Sequence, residues 1–238
     1  MPGPGPQRQL APPDQRTCCP ADPAIARHFD SEMRSHAERG ELPEMVDVTR
    51  TLLEMLPDVA DARPTLLELG CGSGALTVEL LRRGAARAAG VDLSAGSLAM
   101  ARRRADAAGV AERVAFSHAD ASVVALEQHD WVVLDRVICC YRHLGQLLAN
   151  AIPAARRRFI FSVPHDRGWR GLVTRSVVLA ERLFNRLRRA PCAAFVHDIA
   201  EIERRLAEAG FERREWRNAG LWYAAVFERP AEAVDSAV

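Results

Sequence analysis

The stretch Leu66-Leu67-Glu68-Leu69-Gly70-Cys71-Gly72-Ser73-Gly74-Ala75-Leu76 decides the fold of this 238-residue chain. A short apolar run that breaks into closely spaced glycines reads as a strand buried on both faces, a tight turn and the start of a helix. Burial on both faces belongs to the centre of a parallel sheet. The turn after the first such strand is where an open α/β sheet holds its ligand.

Downstream, Ala75 to Arg83 reads as the first crossover helix, with Leu76, Val78, Leu80 and Leu81 available for packing. Ala88 to Val91 is a second strand, with Asp92 at its C-terminal end and Leu93 just beyond. An acidic residue about 20 positions past a glycine turn can accept hydrogen bonds from both hydroxyls of a ribose. Asp92 as a helix cap is the alternative, but Ser94 already supplies the cap for a helix over Ala95–Ala108 that Gly109 closes. Val114 to Ser117 is a third strand, running into His118-Ala119-Asp120-Ala121, where Asp120 either caps a turn or contacts a ligand. Asp130 to Asp135, followed by Arg136, is a fourth, and Arg158 to Val163 a fifth. The order βαβαβ then βαβ, with right-handed crossovers, leaves a doubly wound parallel sheet.

Upstream, residues 1–20 are rich in Pro, Gly and Gln and read as a disordered leader that includes Cys18-Cys19. Residues 21–60 form a helical N-terminal cover, interrupted near Gly40, with Pro43 in the first turn of a second helix. His28, Phe29, Met33 and His36 are placed to line the ligand side, and Met45, Val46, Leu52, Leu53 and Leu56 to form one apolar face.

Residues 61–229 are the main domain. Within it, 164–196 hold an insertion after the fifth strand, where Trp169, Leu172, Val173, Val177, Leu183 and Phe184 alternate with arginines. One or two helices forming a lid are expected there, with the apolar face packed and the Arg face solvated; an acidic or membrane surface is the alternative partner. Asp198 and Glu201 have capping-box spacing at the start of a helix that ends near Gly210. Phe211–Arg217 and Leu221–Phe227 then make a hairpin around Asn218-Ala219-Gly220, and 230–238 is a tail. The expected fold is α/β: a doubly wound seven-stranded sheet, mostly parallel, with an antiparallel last strand.

The net charge of +1 gives no general attraction to nucleic acid or anionic membrane. Every basic residue is Arg and none is Lys, so a Lys base or Schiff base is excluded. Six Cys without a Cys-x-x-Cys point to reduced thiols rather than a disulfide framework or a metal site. No apolar run reaches a membrane-spanning length of about 18 residues. The N-terminus lacks an apolar signal core, so a cytoplasmic location is expected.

The pattern Glu68-x-Gly70-x-Gly72-x-Gly74 departs from the dinucleotide G-x-G-x-x-G fingerprint. It resembles motif I of the class I methyltransferases that use S-adenosylmethionine (SAM). A carboxylate there suits a ligand carrying an ammonium and a sulfonium and repels a pyrophosphate. The resemblance spans about Thr65 to Phe227 and implies SAM as cofactor, S-adenosylhomocysteine (SAH) as product, and a site made of Glu68, Gly70, Cys71, Gly72, Gly74, Asp92, Leu93, Asp120, Ala121, Asp135 and Arg136. In it, Asp120 matches the residue that bonds the adenine amino group, while the Ala121 amide meets a ring nitrogen. Asp135-Arg136-Val137 resembles motif IV, facing the methyl.

The later part is similar to small-molecule O-methyltransferases such as magnesium-protoporphyrin O-methyltransferase, in Phe159-Ile160-Phe161-Ser162, the lid and Val196-His197-Asp198; Asp135 to Tyr141 departs from it. This implies a small-molecule acceptor reacting through oxygen, with no nucleic-acid partner, no metal, and a monomer or homodimer. His143, His165 and His197, in loops at the carboxyl edge, are the candidate bases, and Tyr141 a candidate for orienting the acceptor. Three alternatives stay open: a protein or RNA methyltransferase, a nicotinamide oxidoreductase, and a SAM-binding module without catalysis.

Overall fold

In the computed structural model, residues 23–188 and 194–230 are described; the leader with Cys18-Cys19, Cys192 and the tail beyond residue 230 lie outside them. The quoted stretch is strand β1 (Thr65–Leu69), buried from Leu66 onward. It pairs in parallel with β2 (Arg87–Asp92) on one side and β4 (His129–Leu134) on the other. β3 (Val114–His118) continues outward from β2, and β5 (Ala155–Pro164) from β4. The seven strands run β3-β2-β1-β4-β5-β7-β6, with β7 (Trp222–Glu228) antiparallel between β5 and β6 (Glu212–Ala219). The reversal of strand order lies between β1 and β4, so the turns after these strands open a crevice together.

Side-chain alternation along β1 sorts the core into two layers. Leu66 packs on one face with Leu52 and Leu53 of α2 (Asp47–Met55), Leu76 and Leu80 of α4 (Ala75–Arg82) and Ala105 of α5 (Ala95–Ala107). Leu67 and Leu69 pack on the other, with Leu147 and Leu148 of α6 (Leu144–Ala154) and Ile202 and Leu206 of α8 (Ile199–Glu208). Glu68 is in phase with Leu66, which aims a carboxyl into the first layer at the start of α4.

The cover is α1 (Pro23–Glu38), a loop, α2, and a short α3 (Val59–Ala62) that the sequence did not signal. Pro43 lies in the loop rather than in a helix, and α2 begins at Asp47. Among the described residues the insertion holds one helix, α7 (Gly168–Arg188). Its expected packing is inverted. Trp169, Leu172, Leu179, Leu183 and Phe184 are exposed, while small or short residues (Gly171, Thr174, Val178) face the body. The reason is steric: at Gly171 a Cβ would lie 2.4 Å from the Asp166 carbonyl carbon, so this face seats close to backbone. Asp198 caps α8 by accepting from the Ala200 amide at 2.9 Å, but Glu201 pairs with Arg204 and Arg205 instead of reaching back.

Candidate active site

The site forms where the turns after β1, β2 and β4 meet under α1. The first turn is fixed by the Gly70 and Cys71 amides, which donate to the Val91 carbonyl at 2.7 and 3.1 Å. Its glycines divide their work. At Gly70 (φ +69°) a Cβ would sit 2.2 Å from Val137 Cγ2, so the turn after β4 presses directly on the turn after β1. Gly74 caps α4, where a Cβ would crowd Ala101 at 3.0 Å. At Gly72 (φ +52°) a Cβ would meet nothing within 4 Å, because the residue borders an open cleft.

Three carboxyls face that cleft. Glu68 Oε2 accepts from the Thr77 amide at 3.0 Å and from the Thr77 hydroxyl. Burial pushes its pKa up to about 8, and the nearby Asp135 and Asp92 add to the rise against the Thr77 hydrogen bonds. Asp92 accepts from the Gly72 amide and the Ser94 amide, both at 2.8 Å, and burial raises it despite these donors. Asp135 accepts from the Thr49 hydroxyl of α2 and from Ser162 Oγ of β5 at 2.5 Å. Ser162 Oγ in turn accepts from the Arg136 amide at 2.8 Å. That bond helps hold Arg136 at φ +57°, a conformation costing a non-glycine residue roughly 1–3 kcal/mol. The strain throws Val137 back over Gly70.

Besides Thr49, two residues that the sequence does not single out, Asp30 and Arg104, tie the cover down. Asp30 of α1 accepts from Ser94 Oγ at 2.6 Å and from the Gly96 amide at 2.9 Å, serving the N-terminus of α5. Arg104 of α5 donates to the Ser73 carbonyl of the glycine turn at 3.0 Å and to the Pro43 carbonyl of the cover loop.

The cleft has two lobes joined at Phe29, Gly72, Ser97, Asp135 and Arg136. One, of about 320 Å³, lies between the cover and Glu68, and is lined by Met33, His36 and Thr49. The other, of about 330 Å³, runs from Asp92, Leu93 and Ala121 past Tyr141, Cys139 and Cys140 to Glu181 of α7 and Trp222. Cys71 lines the first lobe as a buried thiol whose pKa is driven far upward by burial. The four α1 residues marked in the sequence all line the cleft: Phe29 both lobes, Met33 and His36 the first, His28 the second.

The remaining candidates are placed differently. Asp120 accepts from the Ser122 amide and hydroxyl at 2.8 Å and from the Tyr141 hydroxyl at 3.1 Å; its neighbours Ala119 and Ala121 line the cleft, and Asp120 braces them from behind. Tyr141 is buried, and its hydroxyl is pushed far above the usual phenol range, chiefly by burial and then by Asp120. It is a donor rather than a base. His197 lies behind Tyr141 with Nε2 2.8 Å from the Tyr141 carbonyl, and burial depresses its pKa. His143 precedes α6 on the surface, and His165 turns to Asn218 Oδ1 at 2.6 Å on the hairpin. Neither lines either lobe. Thr49, Ser162, Glu181 and Trp222 were missed because each is distant in sequence from the motif it serves. Among the described residues no group of three or more His, Cys, Asp or Glu is arranged to hold a metal.

Residues 66–159 match a family described as methyltransferase domain. Residues 66–159 are thus a methyltransferase domain, set in the fold of the class I, SAM-dependent enzymes. The domain is 49% identical over 65 residues to a release factor glutamine methyltransferase of Chlorobaculum tepidum, covering 27% of this chain and 22% of that protein. It is 30% identical over 158 residues to a ribosomal protein L11 methyltransferase of Gloeobacter violaceus, covering 66% of this chain and 41% of that one. The chain thus spans less than half the length of these relatives. The fold matches that of magnesium protoporphyrin IX methyltransferase from Synechocystis, crystallised with SAH, at a TM-score of 0.66 and 19% identity, covering 88% of this chain and all of that one.

Proposed function

We propose that the chain transfers a methyl group from SAM to an oxygen of a small-molecule acceptor. The observation that carries the cofactor half is the convergence of Glu68, Asp92 and Asp135 on one cleft beside Gly72, where a Cβ would find open space. Three carboxyls on one cleft, of which Asp135 and Asp92 both raise the proton affinity of Glu68, favour a ligand bearing positive charge and disfavour a pyrophosphate. In this reading the Glu68 lobe receives the amino-acid end and Asp92 the ribose, while Leu93 and Ala121 flank the adenine. SAM supplies an electrophilic methyl on a sulfonium when bound.

The chain's own part is alignment and exclusion of water, which together account for several kcal/mol of a displacement barrier. The acceptor oxygen bonds to the methyl carbon as the sulfur–carbon bond breaks, with its electron pair staying on sulfur and the acceptor's proton leaving. Tyr141, whose one proton goes to Asp120, orients the acceptor by accepting a hydrogen bond from it; His197 fixes the Tyr141 backbone. The adenosine takes the Asp92 end of the second lobe and the acceptor its far end toward Trp222; His28 is the histidine lining that lobe among the described residues and is assigned to take the proton. The apolar lining of that lobe by Ile25, Phe29, Val137 and Trp222 supports a small acceptor over a macromolecule.

Calorimetry with SAM and SAH tests the first half: a 1:1 isotherm with each is expected, and heat from neither overturns it. Methyl transfer from radiolabelled SAM to hydroxylated or carboxylated small molecules tests the second. A macromolecular acceptor is a second reading, favoured by the names of the two curated relatives. Label appearing in acid-precipitable protein or RNA of an extract, and not in its small-molecule fraction, would establish it.

A further inference from the structure

The outer face of α7 is apolar where a solvated helix is polar. Trp169, Leu172, Leu183 and Phe184 are 65, 69, 61 and 51% exposed. With Val173 they recur at i, i+3 and i+4 spacing and so lie along one stripe. A stripe of this size on a soluble protein marks a binding surface. The segments outside the described residues are poor candidates to cover it: residues 1–22 contain one Leu and no aromatic, and 189–193 and 231–238 contain no aromatic and no Leu.

The charge pattern names the partner. Arg175 flanks the stripe, exposed, and Arg170 and Arg182 flank it while donating to the Gly220 and Ala194 carbonyls, whereas Glu181, the one acidic residue between Gly168 and Phe184, lines the cleft. A second copy docking along this face would bring arginines against arginines. A sheet of negative charge over an apolar interior complements both features, and the Arg175 stem can reach outward to it while the stripe sinks in.

We propose that α7 is an in-plane helix by which the protein docks on an anionic bilayer surface. The net charge of the whole chain, +1, conceals this because it averages the helix with the acidic residues of the rest of the chain. The inner face of the same helix carries Glu181 into the acceptor lobe, so docking places that lobe beside the lipid.

Flotation of the full chain with vesicles of equal parts phosphatidylglycerol and phosphatidylcholine tests this directly, with pure phosphatidylcholine vesicles as the comparison. The chain is expected to float with the anionic vesicles and to bind the neutral ones at least tenfold less well. Leu172→Glu with Leu183→Glu is expected to weaken binding at least tenfold, and Arg175→Gln alone about fivefold. All three positions are exposed, and an unchanged circular-dichroism melting curve verifies folding. No flotation with anionic vesicles, equal flotation with both kinds, or variants that bind like the parent each overturn the proposal. So does a dimer that the Leu172→Glu, Leu183→Glu variant dissociates, which would show a second copy on the stripe.

Discussion

Gly70 and Gly72 lie two residues apart with the same sign of φ, and the structure separates their roles. Alanine at either position adopts a left-handed conformation costing about 1–2 kcal/mol. At Gly72 the added methyl meets nothing within 4 Å, so stability falls by that amount alone. At Gly70 it lands 2.2 Å from Val137 Cγ2 and 2.8 Å from Val137 Cβ, and overpacking adds about 1–3 kcal/mol. Gly70→Ala should therefore cost roughly 2–5 kcal/mol in all. With a urea m-value near 3 kcal/mol per M, the unfolding midpoint drops by about 1 M.

Val137→Ala removes the methyl at 2.2 Å and leaves the Cβ at 2.8 Å, so the double variant should recover part of the overpacking, about 1 kcal/mol relative to the sum of the singles. The ligand side runs the opposite way: Gly72→Ala keeps the fold but fills the cleft floor, and SAH affinity falls at least about tenfold by the same hydrophobic-crowding cost. Equal midpoints for the two alanine variants, or strictly additive losses in the Gly70/Val137 pair, would refute this division of labour.

The carboxyls supply further tests. Folded Glu68 keeps its proton up to about pH 8, whereas the unfolded chain releases it near its ordinary value of about 4.3. Folding thus takes up a proton between those limits, and stability falls as pH rises through them. Glu68→Gln should flatten that slope and leave the protein more stable than the parent at pH 8; parallel stability–pH curves would refute it. If a cationic group of SAM binds beside Glu68, binding near pH 7 expels this proton, which calorimetry in buffers of different ionisation enthalpy detects. Asp92→Ala should weaken SAM at least about tenfold by losing a charge-assisted contact of roughly 1.5–3 kcal/mol; unchanged affinity removes Asp92 from the ribose role. His28→Ala is expected to lower kcat while leaving SAH affinity intact, and His143→Ala and His165→Ala to change neither; a kcat loss at His143 or His165 larger than at His28 reverses the assignment.

Most of the fold was legible because period and punctuation carried it. Leu66 to Gly74 set the first strand and turn, and the β7 reversal followed from the Asn218-Ala219-Gly220 hairpin. What escaped was decided by partners far along the chain. α2 starts at Asp47 because the 43–46 loop is spent reaching Arg104, and the α7 stripe faces outward because a close backbone contact at Gly171 seats the opposite face. The site divides in the same way. Glu68, Gly72, Asp92 and Asp135 belong to strand ends that pattern reveals. The supports of Asp135, Thr49 and Ser162, stand 86 and 27 residues from it, and no local spacing announces them.

Arg104 grips the floor of the cleft at Ser73 and its roof at Pro43. A residue bonded to both is a thermodynamic link between them. Whatever free energy a ligand gains by ordering the glycine turn is shared with the 39–46 loop, and by reciprocity anything that clamps the loop sharpens the turn. The cover is therefore a reporter as well as a roof. Protease cleavage within the 39–46 loop should slow on ligand binding by a factor that Arg104→Gln erases, even where that substitution leaves the rest of the molecule untouched.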